Sequence, residues 1–159
     1  MSEVDQPGTR ANREAGAPGG GAAIVRLAVV STVLFGVAAL LAAVWPAAFA
    51  PVAVPIALVL FAMGCAAFAW AYVVAIGRSR HDVVSLTGMF FLGEGAAPPT
   101  VARTLRTVLA VQVVVALAAA TARPYTALAF GVLAPTSAVG LMALWAARHG
   151  RFPPRDTRP

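Results

Sequence analysis

Four apolar runs, each near the length needed to cross a bilayer, constrain what this chain can fold into more than any other feature. They extend from about Leu27 to Trp45, Val52 to Ile76, Thr107 to Ala122 and Tyr125 to Ala147. A hydrocarbon core of about 30 Å calls for about 20 residues at about 1.5 Å each. The runs are apolar on every face, which excludes a soluble helical bundle, because no polar stripe is left to meet water. Charge is correspondingly scarce. The chain is 60% hydrophobic and 11% charged, where a soluble domain carries about 25% charged residues. The expected fold is all-α, an integral membrane bundle of four transmembrane helices, at 27–45, 52–76, 101–122 and 125–147.

The basic residues orient that bundle. All twelve are arginines. Arg10, Arg13 and Arg26 precede the first run. Arg78, Arg80, Arg103 and Arg106 lie between the second and third, and Arg148, Arg151, Arg155 and Arg158 follow the fourth. Only Arg123 falls on the other side. Because basic loops stay in the cytoplasm, both termini are expected there. The net charge of +6 does not point to nucleic acid, since the arginines flank apolar spans and form no separate basic domain. Their expected partners are the lipid bilayer and its anionic headgroups, with Arg78, Arg80, Arg103, Arg106, Arg148 and Arg151 at the headgroup level.

Outside the spans, residues 1–23 are rich in Gly, Pro, Ala and charge and read as a disordered cytoplasmic tail. The first run, about 19 residues, exceeds the 7–15 or so of a signal-peptide core, so a retained helix is expected. Ser31 and Thr32 within it can bond back to a carbonyl one turn earlier. The link PAAFAP is short and uncharged, making the first two helices antiparallel neighbours. A cytoplasmic loop, 77–100, follows the second helix. The third helix is expected to start after Pro99 with Thr100 as its N-cap, and Arg103 and Arg106 then snorkel outward. Pro135 falls near the middle of the fourth helix, where it removes a hydrogen bond and strains the Gly131 carbonyl. A basic tail, 148–159, closes the sequence. The two halves share a plan of arginine, helix, proline-bearing turn and returning helix. Any pair of antiparallel membrane hairpins has that plan.

Ionisable side chains within a span are the usual mark of an ion or substrate path, and the central parts of these runs have none. Asp82 and Glu94 both belong to the loop, which excludes a proton-coupled exchanger that needs a carboxylate in the membrane. The most polar residue in any span is Gln112, which in lipid must face another helix. Gly131, Pro135 and Gly140 form either a fixed kink or a hinge. Small residues recur every four positions at Ala67, Ala71 and Ala75, at Ala116 and Ala120, and at Ala127 and Gly131, a spacing that permits close helix approach. Cys65 stands alone as a small buried apolar residue, which rules out an intramolecular disulfide. His81 and His149 fit no metal-ligand spacing, and no phosphate loop, dinucleotide fingerprint or serine elbow occurs. No cofactor or metal is expected. The apolar stretch Met89, Phe90, Phe91 and Leu92 is too short to span. It requires burial in the interface, under the bundle or against a partner.

The segments LTGMFFL (86–92), ARPYTALAFGVLAP (122–135) and LWAARHGRFPP (144–154) resemble uncharacterised small four-helix integral membrane proteins of high-GC actinobacteria. The resemblance covers about His81 to Pro154 and implies topology and source, not an activity. The expectation for function is therefore a non-enzymatic membrane component that assembles with another membrane protein or with itself. The alternative is a small homo-oligomeric transporter or channel, its path lined by Gln112, Gly131, Pro135 and Gly140.

Overall fold

The computed structural model describes residues 20–79, 86–93, 96–122 and 126–152. The residues before Gly20, Arg80, His81 and Asp82, Glu94, Arg123, Pro124 and Tyr125, and the residues after Phe152 lie outside them. Every described element is helical. The order is α1 (Gly20–Val44), α2 (Pro46–Arg78), a short α3 (Leu86–Phe91), α4 (Pro99–Ala122), a 3₁₀ segment (Ala127–Leu133) and α5 (Pro135–His149). Four helical stretches are long and apolar enough to cross a membrane: Gly21–Val44, Pro46–Arg78, Pro99–Ala122 and Ala129–His149.

Helix limits differ from the sequence reading in four places. First, α1 starts at Gly20, so the last residues assigned to the tail are helical. Second, the expected link PAAFAP is the beginning of α2, and Trp45 alone separates the two helices. The Trp45 N–H still donates to the Leu41 carbonyl at 2.8 Å, while its own carbonyl accepts from Ala48 at 3.2 Å and Phe49 at 3.1 Å. An open link would leave backbone groups unsatisfied in an apolar medium, and a helix satisfies them locally. Pro46 occupies the first turn, where its missing N–H costs nothing. Third, the fourth span is not one α-helix with a proline inside. It is a 3₁₀ segment followed by α5, and Pro135 opens the latter. The Gly131 carbonyl accepts from the Ala134 N–H at 3.1 Å, so the strain expected there is relieved by the tighter 3₁₀ bond. Thr100 likewise lies inside α4, which starts at Pro99, and the Ala102 N–H bonds to the Pro98 carbonyl at 3.0 Å.

Alanines make up much of the buried core, with a few large side chains such as Phe35, Leu105 and Met142 among them, and many large apolar side chains face outward. On α1, Ala28, Ala39 and Ala42 are buried, whereas Val30, Val33, Val37 and Leu40 are exposed. Without a hydrophobic drive between helices in lipid, contact depends on close backbone approach and on internal hydrogen bonds. The most extensive contact joins α2 to α5. Their pairing is parallel. Gly64 faces Thr136, Ser137 and Gly140, and further along Arg78 reaches Ala147 and Gly150. The face that α2 offers is Ala57, Leu60, Gly64, Ala67, Ala71 and Ala75, all buried. Cys65 is on the other side and is exposed, contrary to its expected burial, because its neighbour Gly64 holds the contact face.

The arginine-bearing ends meet at one end of the bundle. The start of α1 lies against the end of α5, where the Cβ position of Gly21 is 3.0 Å from Trp145 Nε1. The Arg151 N–H donates to the Ala96 carbonyl at 3.0 Å, tying the segment before α4 to the same end.

Candidate functional site

Three arrangements use the residues singled out above. The first is a buried polar node in mid-bundle. Gln112 on α4 is 0% exposed. Its Nε2 donates to Thr32 Oγ1 at 2.9 Å, and its Oε1 accepts from Ser137 Oγ at 3.2 Å. The Thr32 hydroxyl donates to the Ala28 carbonyl at 2.8 Å, an acceptor it shares with Ser31 at 3.0 Å. Ser137 also donates to the Ala134 carbonyl at 2.8 Å, so its hydroxyl proton is divided between two acceptors. One amide thereby ties together α1, α4 and α5. Ser137 sits one turn into α5 because Pro135 starts that helix.

Around the node, the glycines have distinct roles. A Cβ on Gly140 would lie 2.9 Å from the Gly64 carbonyl carbon, and one on Gly64 would lie 2.6 Å from the Ser137 nitrogen. Both distances are impossible for a real side chain, so α2 and α5 touch backbone to backbone. Gly131 is looser, with only the Phe35 ring at 3.6 Å from its Cβ position. Gln112, Gly131 and Gly140 are all buried, but against different neighbours, and Pro135 is half-buried at the start of α5; Gln112 has no exposed surface to offer a solute.

The second arrangement is the loop stretch. Met89 and Leu92 are buried in the core, at 3% and 2% exposure, while Phe91 is 60% exposed. Phe90 stacks on Phe68 of α2, ring centroids 5.6 Å apart. Leu92 has a φ of 51°, a left-handed conformation that is costly for a branched side chain. Arg106 secures it from α4, Nε donating to the Phe91 carbonyl at 2.8 Å and an Nη to the Leu92 carbonyl at 2.9 Å.

The third is the arginine end itself. Arg78 donates from its two Nη atoms to the Ala147 and Gly150 carbonyls, both at 3.0 Å, and its guanidinium lies 5.4 Å from the Phe152 ring centroid. It caps α5, whose last carbonyls have no intrahelical donor. Arg148 covers Trp70 at 6.0 Å in a cation–π contact. Arg103 is exposed on α4, and Arg151 is exposed after α5. Thus Arg78 and Arg106 satisfy backbone carbonyls, whereas Arg103 and Arg151 keep free guanidinium groups among the described residues. The capping by Arg78 was not anticipated. A basic residue just past one apolar run and a glycine just past another were its visible signs.

Among the described residues, no three His, Cys, Asp or Glu side chains come together as a metal site. Comparison with protein-family models, with curated proteins and with solved structures gives no match.

Proposed function

We propose that this chain is a non-enzymatic multi-pass component of the cell membrane that assembles with another membrane protein or with itself. Its arginine end and both termini face the cytoplasm in this reading. The observation that carries it is the closure of the Gln112 node. The one amide within the spans is fully buried and bonded to Thr32 and Ser137. It is thereby committed to joining helices. Between Leu27 and Gly77, Thr107 and Ala122, and Thr126 and Ala147 no Asp, Glu, Arg or His occurs, so no charged side chain is available to draw an ion or substrate inward. The arginine end supports the orientation, because the positive ends of the spans collect on one face. Exposed apolar side chains such as Phe91, with Val114 and Leu117 on α4, supply surface for lipid or for a second membrane protein.

Purification in a mild detergent from native membranes, with mass spectrometry of what remains bound, tests this reading. A stoichiometric second membrane protein, or a defined oligomer without flux in liposomes, is the expected result. A defined oligomer that conducts a solute, and loses that flux on Gln112→Leu, would replace it with the transporter or channel reading.

A further inference from the structure

At the arginine end, α1, the segment before α4 and the end of α5 enclose an open cavity of about 640 Å³, within the usual range for a small-molecule site. Its polar lining comes from Arg26, Trp145, His149 and Arg151. Among the described residues, the guanidinium groups of Arg26 and Arg151 have no hydrogen-bond or ion-pair partner and no carboxylate lines the cavity. Val25 and Val101 supply apolar wall.

One atom sets this cavity apart from a patch of surface arginines. Trp145 is 5% exposed, and its indole N–H is a buried donor with no partner among the described residues. Such a group is costly unless something accepts from it. It faces Gly21, whose Cβ position is 3.0 Å away, and Gly21 lines the same cavity. The Trp145 ring is held there by His149, with ring centroids 5.6 Å apart. Trp145, Gly21, Arg26 and Arg151 line the same cavity, so an acceptor for the buried N–H would have to come from an occupant of that cavity reaching past Gly21.

We propose that this cavity binds a phosphate anion, carried by the headgroup of an anionic phospholipid whose glycerol and upper acyl segments lie along Val25 and Val101. Arg26 and Arg151 give charge-assisted hydrogen bonds to the phosphate oxygens. The Trp145 N–H donates to one oxygen and fixes its depth. His149 adds a further polar contact at the rim. The site is independent of any protein partner and of which way the bundle faces.

The test uses the full chain in an uncharged maltoside detergent, with its melting temperature followed during separate titrations. The probes are dioleoyl phosphatidylglycerol, dioleoyl phosphatidylcholine and inorganic phosphate. Phosphatidylglycerol should raise the melting temperature saturably, and phosphatidylcholine should do so far less. Trp145→Phe keeps the ring and removes only the donor. It should weaken phosphatidylglycerol about tenfold, as should Arg26→Gln and Arg151→Gln. Arg148→Gln removes the same charge from the same end without lining the cavity, and should bind as the parent does. Inorganic phosphate acting as strongly as phosphatidylglycerol, with loss in the same variants, would keep the phosphate site and overturn the lipid as its source. No saturable shift with either probe, undiminished binding by Trp145→Phe, or equal losses in Arg148→Gln and Arg151→Gln would overturn the proposal. Arg26→Gln and Arg151→Gln alter exposed side chains, so they decide the matter if Trp145→Phe does not fold.

Discussion

Gly64 and Gly140 face each other with no side chain between them, and the Cβ position of Gly140 is 3.0 Å from the Gly64 Cα. This crossing brings α2 and α5 close enough for Arg78 to reach Ala147. Adding one methyl here must push backbone against backbone, since no flexible side-chain tip can move aside.

Gly140→Ala and Gly64→Ala should each destabilise the bundle by about 1–3 kcal/mol, the usual cost of overfilling a tight contact. Gly36→Ala and Gly77→Ala are the controls, because nothing lies within 4 Å of either Cβ position. Those two should be neutral or slightly stabilising, as alanine favours helix over glycine. Thermal unfolding in detergent, followed by size-exclusion of the surviving fraction, separates the pairs. Equal melting temperatures for Gly140→Ala and Gly36→Ala would refute the crossing.

Gln112→Leu should lower stability by about 0.6–2 kcal/mol, in the range of interhelical polar contacts in membranes. The loss should be shared with Thr32. In a double-mutant cycle, Gln112→Leu combined with Thr32→Val should cost less than the two single changes added together. Additive losses would mean that the 2.9 Å bond between Gln112 and Thr32 contributes nothing. The cycle also bears on function, because a substrate contact would show up in flux or ligand binding and leave the Thr32 coupling near zero.

The helical membrane class was legible in the sequence because length and missing charge alone decide it. Gln112's need for a partner was also legible from polarity in an apolar run. Its partners were not, since Thr32 and Ser137 are 80 and 25 positions away and many serines and threonines would have served. The stripe Ala67, Ala71, Ala75 could be read directly, and extending it three positions back would have found Gly64. What hid the α2–α5 pairing was abundance, as alanines occur in every spanning segment and short links favour sequential hairpins. Helix limits shifted at prolines, at PAAFAP and at Pro135, because the surroundings decide whether a proline ends a helix or opens one. The Met89–Leu92 stretch read as uniformly apolar, yet Leu92 turns inward and Phe91 outward, a division made by a left-handed φ that no periodicity announces.

Arg78→Gln should loosen the end of α5 by removing two charge-assisted hydrogen bonds to the Ala147 and Gly150 carbonyls. Bonds of this kind contribute about 1.5–3 kcal/mol each when well shielded, and partial burial puts the combined effect near the lower figure. Hydrogen exchange should accelerate in peptides covering 144–152, where the Gly150 N–H bonds to the Ala146 carbonyl at 2.8 Å. Arg148→Gln loses only a cation–π contact with exposed Trp70, about 0.5–1 kcal/mol, and should leave that exchange nearly unchanged. If both variants exchange alike, Arg78 is a surface charge and not a cap.

The orientation is decided by where single cysteines can be reached. Cys65 must first be replaced by alanine. It is exposed on the outer face of α2 in mid-span, where lipid shields it from polar reagents but detergent does not. In that background, Ala48→Cys should react with an impermeant maleimide on intact cells, because Ala48 is exposed near the turn at Trp45. Ser79→Cys, at the arginine end, should react only after permeabilisation. Both outcomes follow from the positive-inside rule, in which the side with the arginines stays in the cytoplasm. Reversal of the two patterns would place the termini outside, and would set the arginine-lined cavity against the outer leaflet without altering its lining. Reaction of both cysteines on intact cells would instead mean that one hairpin does not cross, contradicting the four-span bundle that the length and apolarity of the helices support.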